Sequence, residues 1–139
     1  DVFAYFGLGC RNVSKLFLPK GYDLNKLFEA FFTYSYVVEH KKYGNNYDYN
    51  KAIFLMGSNK LVENGFILMK EDKSLLSPVA MLYYEYYDDL CTVQRFLKEN
   101  ADSLQCIVSK NDISFGNTQE PNLWDYSDGV DTIEFLREL

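Results

Sequence analysis

A chain of 139 residues, 47% of them hydrophobic and with a mean hydropathy of −0.25, has the size of one soluble globular domain, able to bury roughly 68–70% of its unfolded surface. No apolar run reaches the roughly 18 residues that a membrane span needs, which excludes a spanning helix. The net charge of −6 is uneven: residues 1–110 carry 13 Lys+Arg and 13 Asp+Glu, and residues 111–139 carry one Arg against seven acids, a balance that repels phosphate backbones and argues against nucleic acid as a partner.

Taken in order, residues 2–7 are β-branched and aromatic and predict a short buried strand. The opening DVFAYF lacks a basic leader region and an initiator Met, so it reads as a strand cut from a longer chain rather than a signal peptide. Residues 14–18 predict a second strand, closed by Pro19-Lys20-Gly21. Asp23 is the expected N-cap of the strongest helix, with Leu24, Leu27, Phe28, Phe31 and Phe32 at i, i+3, i+4 spacing. That helix is expected to end near His40-Lys41-Lys42, where positive side chains suit the C-terminal dipole. His40 is accordingly read as a helix-end or surface residue rather than a catalytic base.

Residues 43–49 (YGNNYDY) predict a polar aromatic loop, and residues 49–58 a short helix through Ala52, Ile53 and Met56. Asn64-Gly65 opens a predicted strand at 66–69, ended by Glu71-Asp72-Lys73. Residues 79–84 form a near-continuous apolar run of the kind found in strands covered on both faces. Asp88 or Asp89 caps a helix with Leu90, Val93, Phe96 and Leu97 inward, and residues 104–109 (LQCIVS) predict another buried strand. Strand, helix and strand at this spacing predict a parallel crossover. The fold class is therefore α/β, a mostly parallel sheet with helices on both faces, in one domain over residues 1–139. Residues 111–139 form an acidic, irregular extension in which only 132–139 looks helical; it reads either as a clasp on another subunit or as a tail.

Three cysteines at positions 10, 91 and 106 form no CxxC and no paired framework, which argues for a reducing, cytoplasmic compartment. With one histidine and no cysteine cluster there is no zinc-site pattern. Twelve Tyr and eleven Phe predict extensive interfaces, because a tyrosine ring suits a position buried at one end and wet at the other. Cys91 and Cys106 fall inside predicted elements and read as core packing.

Cys10 is the candidate for chemistry. It lies in a glycine-framed turn, Gly7-Leu8-Gly9-Cys10, where the missing side chains let a ligand approach the backbone. Two readings stand: a small buried hydrophobe, or a reactive thiol favoured by Arg11 and by any helical turn that follows. A nucleotide loop is discounted, since GxGxxG needs a third glycine and position 12 is Asn. Arg11, Lys15 and Lys20 read as solvated positions, with coenzyme A phosphates as the alternative.

The order of the Cys10 turn, SKLFLP, GYDLNKLFEAF, FILMKED, SPVAMLYYEY, a capped helix and LQCIVS resembles the catalytic domain of the aldehyde dehydrogenase superfamily. There a Gly-Gln-x-Cys loop carries the nucleophile and a Ser-Arg-aliphatic strand and a helix follow. FGLGCRNVSKLF, KYGNNYDYNKA and FGNTQEPNLWDYSDGVDTIEFL are similar to stretches of its acyl-CoA reductase branch, the type that supplies aldehyde in bacterial bioluminescence. The likeness spans nearly the whole chain. It implies that Cys10 is the nucleophile, attacking a fatty acyl-CoA to form an acyl-cysteine thioester that NADPH reduces to a long-chain aldehyde. The Cys10 main-chain N–H is the implied oxyanion donor. The family's dinucleotide-binding domain precedes its nucleophile, so NADPH is expected to be held mainly by an N-terminal domain outside these residues, which alone would be inactive. The family also commonly pairs subunits through this domain, implying a homo-oligomer.

Departures from the family pattern bear on the cofactor. Leu8 stands where the family has Gln, Ser74 where it has a ribose-binding Glu, and Leu76-Ser77-Pro78 replaces Phe-Gly-Pro, so cofactor contacts from this side must differ. Two other functions compete: a non-catalytic protein-interaction domain using the tyrosine-rich faces and the acidic end, and a cysteine acyltransferase or thioesterase without redox chemistry.

Overall fold

A computed structural model describes residues 1–139, the side chain of Asp128 excepted. Four strands, β1 (Lys15–Pro19), β2 (Val62–Glu63), β3 (Leu68–Glu71) and β4 (Met81–Tyr87), form one sheet in the order β1-β4-β3-β2. β4 runs parallel to both β1 and β3, and only the two-residue β2 is antiparallel. The chain is thus α/β with a mostly parallel sheet, as its sequence predicts. With neighbours on both sides, β4 is buried from Met81 to Tyr84, which is why this segment reads as an unbroken apolar run.

Helices cover both faces of the sheet. α3 (Leu90–Glu99) is capped by Asp89, whose carboxylate accepts from Cys91 N at 3.1 Å, and it lays Phe96 edge-on to Phe17 of β1, with ring centroids 5.5 Å apart. On the opposite face Tyr86 donates its hydroxyl to Tyr22 O at 3.3 Å, just ahead of α1 (Leu24–Phe31). Asp23 caps α1 by accepting from Asn25 N at 3.0 Å. Leu24, Leu27, Phe28 and Phe31, themselves partly buried, pack against a core centred on Ile67, Leu68, Met69 and Leu82, where full burial of such a side chain contributes about 1.5–3 kcal/mol.

Several expected elements are built differently. Residues 2–7 are not a strand: Ala4–Gly7 is a tight turn in which Tyr5 (φ 50°) and Phe6 (φ 56°) take left-handed conformations that are uncommon for aromatic residues. Asn12 explains it, since its side-chain amide donates to Val2 O and Ala4 O, both at 2.9 Å, and so takes up carbonyls that a strand would present to a neighbour. The helix from Leu24 stops being α-helical at Phe31 and continues as a 3₁₀ run over Phe32–Glu39.

His40 closes that 3₁₀ run, as a helix-end residue, and also starts a new helix, so Lys41 and Lys42 sit in the first turn of α2 (Lys41–Met56). The expected loop at 43–49 is inside α2. Tyr43, Tyr47 and Asn50 form its buried stripe, and Gly44 is accommodated because a Cβ there would meet Val38 O at 2.6 Å. The Tyr47 hydroxyl donates to Glu63, which also pairs with Lys51 at 2.7 Å and ties β2 to α2.

β3 begins two residues later than its apolar run, because Asn64 Oδ1 accepts from Phe66 N at 3.4 Å and Ile67 N at 3.2 Å and holds both in a turn. The largest correction concerns residues 104–109. They form no strand of the sheet, only a bridge between Val108 and Ile113, so the expected crossover through α3 is absent. The parallel pairs are instead β1–β4 and β3–β4. Cys91 is exposed in the first turn of α3 and Cys106 is half-buried, so Cys91 is not a core residue. In the acidic end, α4 (Thr132–Arg137) is helical, in line with expectation.

Candidate active site

The turn before β1 presents Cys10 to solvent. No helix follows it: Asn12 N bonds Gly9 O at 3.0 Å and the chain passes straight into β1, so the helical dipole weighed at this cysteine is absent. None of the hydrogen bonds among the described residues uses the Cys10 amide, which leaves that N–H free to meet a ligand oxygen. The aromatic ring of Phe6, four residues upstream, stacks on His40 with centroids 3.8 Å apart. His40 is half-buried and its Nδ1 has no hydrogen-bond partner; no hydrogen bond or ion pair among the described residues joins it to Cys10.

The two residues after the cysteine are anchored on the far end of the chain. Arg11 is buried, contrary to the solvated position expected for it. Its Nε donates to Thr118 O at 2.6 Å and its Nη2 lies 3.8 Å from Asp125. Asn12 accepts at Oδ1 from Gln119 Nε2 at 3.1 Å. The segment that supplies these groups is itself held by the first residue, whose carboxylate accepts from Gly116 N at 2.7 Å and Thr118 N at 3.1 Å. Gly9 is required in this arrangement, since a Cβ there would overlap Asn12 Oδ1 and approach Gln119.

Cys106 comes to the same place. Its Sγ donates to Arg11 O at 3.6 Å, and burial pushes its thiol pKa up, opposed by the Arg11 guanidinium and reinforced by Cys10. Of the two thiols gathered here, Cys10 is the one open to solvent. Beside Arg11 lies an open groove of about 550 Å³ whose lining includes Asp102, Leu104, Trp124, Asp125 and Tyr126. With two carboxylates against one guanidinium, it has no surplus of positive charge for a phosphate.

The other basic candidates are elsewhere. Lys15 is not solvated: its side chain is 4% exposed, pairs with Glu85 at 2.9 Å, donates to Lys73 O at 2.8 Å and lies over the rings of Phe17 and Phe96. Lys20 is exposed as expected, 3.1 Å from Asp88. Ser74 and Ser77 belong to the β3–β4 connection, where Ser74 N donates to Asp72 Oδ1 at 2.8 Å and Ser77 Oγ to Met81 O at 2.7 Å.

The Gly7–Gly9 turn leads into a strand, so no helix N-terminus faces a pyrophosphate there. No three His, Cys, Asp or Glu side chains among the described residues come together as a metal-binding group, and no helix is long and apolar enough to cross a membrane.

Sequence reasoning singled out Cys10 but not the residues that hold its turn: Asp1, Asn12, Thr118, Gln119 and Asp125. The clue available was the concentration of Asn, Thr, Gln and Asp in 116–125, a composition that hydrogen-bonds backbone and side chains rather than packing. Compared with protein-family models, with curated proteins and with solved structures, the chain matches none of them.

Proposed function

We propose that this domain is the acylation half of an NADPH-dependent acyl-CoA reductase, with Cys10 as the nucleophile. The observation that carries the reading is a solvent-exposed thiol in a turn whose next two side chains are fixed by long-range hydrogen bonds. Such a thiol is accessible to a substrate and is held in place, the two conditions for attack on a carbonyl.

In the proposed reaction the Cys10 thiolate adds to the thioester carbon of a fatty acyl-CoA. A sulfur–carbon bond forms, the carbonyl oxygen takes the negative charge, and the free Cys10 N–H donates to it. Collapse expels the coenzyme A thiolate, which takes up a proton, and leaves the acyl group on Cys10. The resemblance implies that NADPH is held mainly by an N-terminal domain outside these residues, and reduction of that thioester to an aldehyde would draw on that cofactor. The resemblance to acyl-CoA reductases supports this order of events, and a cytoplasmic location fits three unpaired cysteines.

Mass spectrometry of the intact protein after a pulse of long-chain acyl-CoA without NADPH tests the assignment. The acyl mass is expected on Cys10 and not on Cys91 or Cys106, and Cys10→Ser is expected to lose it entirely. An unmodified Cys10 beside a labelled Cys91 overturns the reading.

A non-catalytic interaction domain is favoured by one observation, the exposure of large apolar side chains such as Phe32, Met56 and Trp124 at 70–83%. That reading requires full function of the protein after Cys10→Ser, which the reductase reading forbids.

A further inference from the structure

We propose that Gln119 and Asp125 are positioning residues for Cys10, so that the acidic end of the chain, not the sheet, sets where the nucleophile points. The inference rests on the acyl-transfer reading of the site and adds to it the residues that orient the sulfur. The turn carries Gly7 and Gly9, and glycines give an untethered backbone many conformations to lose. An attacking atom, by contrast, must be held close to one productive geometry.

The restraint comes from more than a hundred residues away. Arg11 is anchored on Thr118 O and faces Asp125, and Asn12 is anchored on Gln119. These two residues follow Cys10 directly, so any freedom in them passes to the sulfur. The Asn12 contact is directional. Its amide nitrogen donates to Val2 O and Ala4 O, leaving Oδ1 as the atom turned toward Gln119. A donor is therefore required at position 119, and a group of the same size without one does not serve. Asp125 acts on the other anchor: it faces the guanidinium whose Nε holds Thr118 O.

The test measures two rates on Cys10 in the intact protein: acyl-thioester formation from a long-chain acyl-CoA, and alkylation by iodoacetamide, with Cys91 as the internal reference. Acylation needs an oriented carbonyl, whereas alkylation by a small reagent does not. Gln119→Ala and Gln119→Glu are each expected to slow acylation about tenfold while alkylation of Cys10 stays within about twofold and the melting temperature holds. Gln119→Glu is the decisive variant, because it keeps the length and brings an acceptor against Asn12 Oδ1. Asp125→Asn, at a partly exposed position, is expected to act in the same direction by about threefold.

Wild-type acylation rates in Gln119→Ala and Asp125→Asn overturn the proposal. So does a normal rate in Gln119→Glu with a slow one in Gln119→Ala, which marks Gln119 as a spacer. Parallel losses of acylation, alkylation and melting temperature also overturn it, as the sign of general loosening. A wild-type protein that takes no acyl group on Cys10 sinks the reading of the site itself, and this inference with it.

Discussion

The sheet and the Cys10 turn are held together by different forces. In the sheet and the turn that leads into it, Ile67, Leu68, Met69 and Leu82 are at most 1% exposed and lie within sixteen positions of one another in sequence. They are stabilised by ladder hydrogen bonds and by non-directional burial. The Cys10 turn has an exposed thiol and glycines, and its shape depends on polar side chains that reach from residues 1, 11 and 12 to residues 116–125. Burial tolerates small shifts, whereas hydrogen bonds at about 3 Å do not. The comparison predicts that the site can be loosened without unfolding the domain, while damage to the core brings global loss.

The largest expected effect breaks the sheet side of that comparison. Leu82→Ala in the central strand removes a side chain with no exposed surface and is expected to cost about 3 kcal/mol, read from the shift of the urea midpoint. Cys10 alkylation in the still-folded fraction should be unchanged.

Asn12→Ala attacks the other side. It removes the donor to Val2 O and Ala4 O and the acceptor for Gln119, with an expected cost of about 2 kcal/mol. Hydrogen exchange should quicken at residues 2–12 and stay slow in β3 and β4. Equal quickening in both regions would show that turn and sheet form one cooperative unit.

The smallest effect lies at the sheet's polar margin and appears only in acid. Lys70, at 2.6 Å, and the backbone N–H of Ser74 hold the Asp72 carboxyl down to about 2. Because the folded value lies below the ordinary one near 3.9, this contribution is full above about pH 4 and is lost as pH falls toward about 2. Asp72→Asn should flatten the pH dependence of the urea midpoint in that window, by less than about 1 kcal/mol once solvent screening is allowed for. An unchanged slope would remove Asp72 from the acid response.

Much of the fold was legible because its signals are local. Asp23 and Asp89 cap helices as their positions predict, since an N-cap needs only the two or three residues that follow it. β4 was readable from its unbroken apolar run. At residues 43–49 the buried stripe of Tyr43, Tyr47 and Asn50 does carry helical spacing, but Gly44 and two asparagines outweighed it; the close approach of Val38 O that suits a glycine is a tertiary fact. Residues 104–109 misled for the opposite reason. Their composition suits a strand, yet a strand exists only where an edge receives it.

Sequence alone determined the α/β class, the two capped helices and the glycine-framed turn at Cys10, though not the exposure of its thiol, because capping, periodicity and glycine placement act over a few residues. Tertiary structure decided that residues 2–7 turn instead of extending, that 104–109 stay out of the sheet, and that 116–125 fold back onto Arg11 and Asn12. Each of those outcomes depends on which hydrogen-bond partner arrives from elsewhere in the chain, up to 117 residues away at Asp1 and Thr118, and spacing along the chain does not encode that.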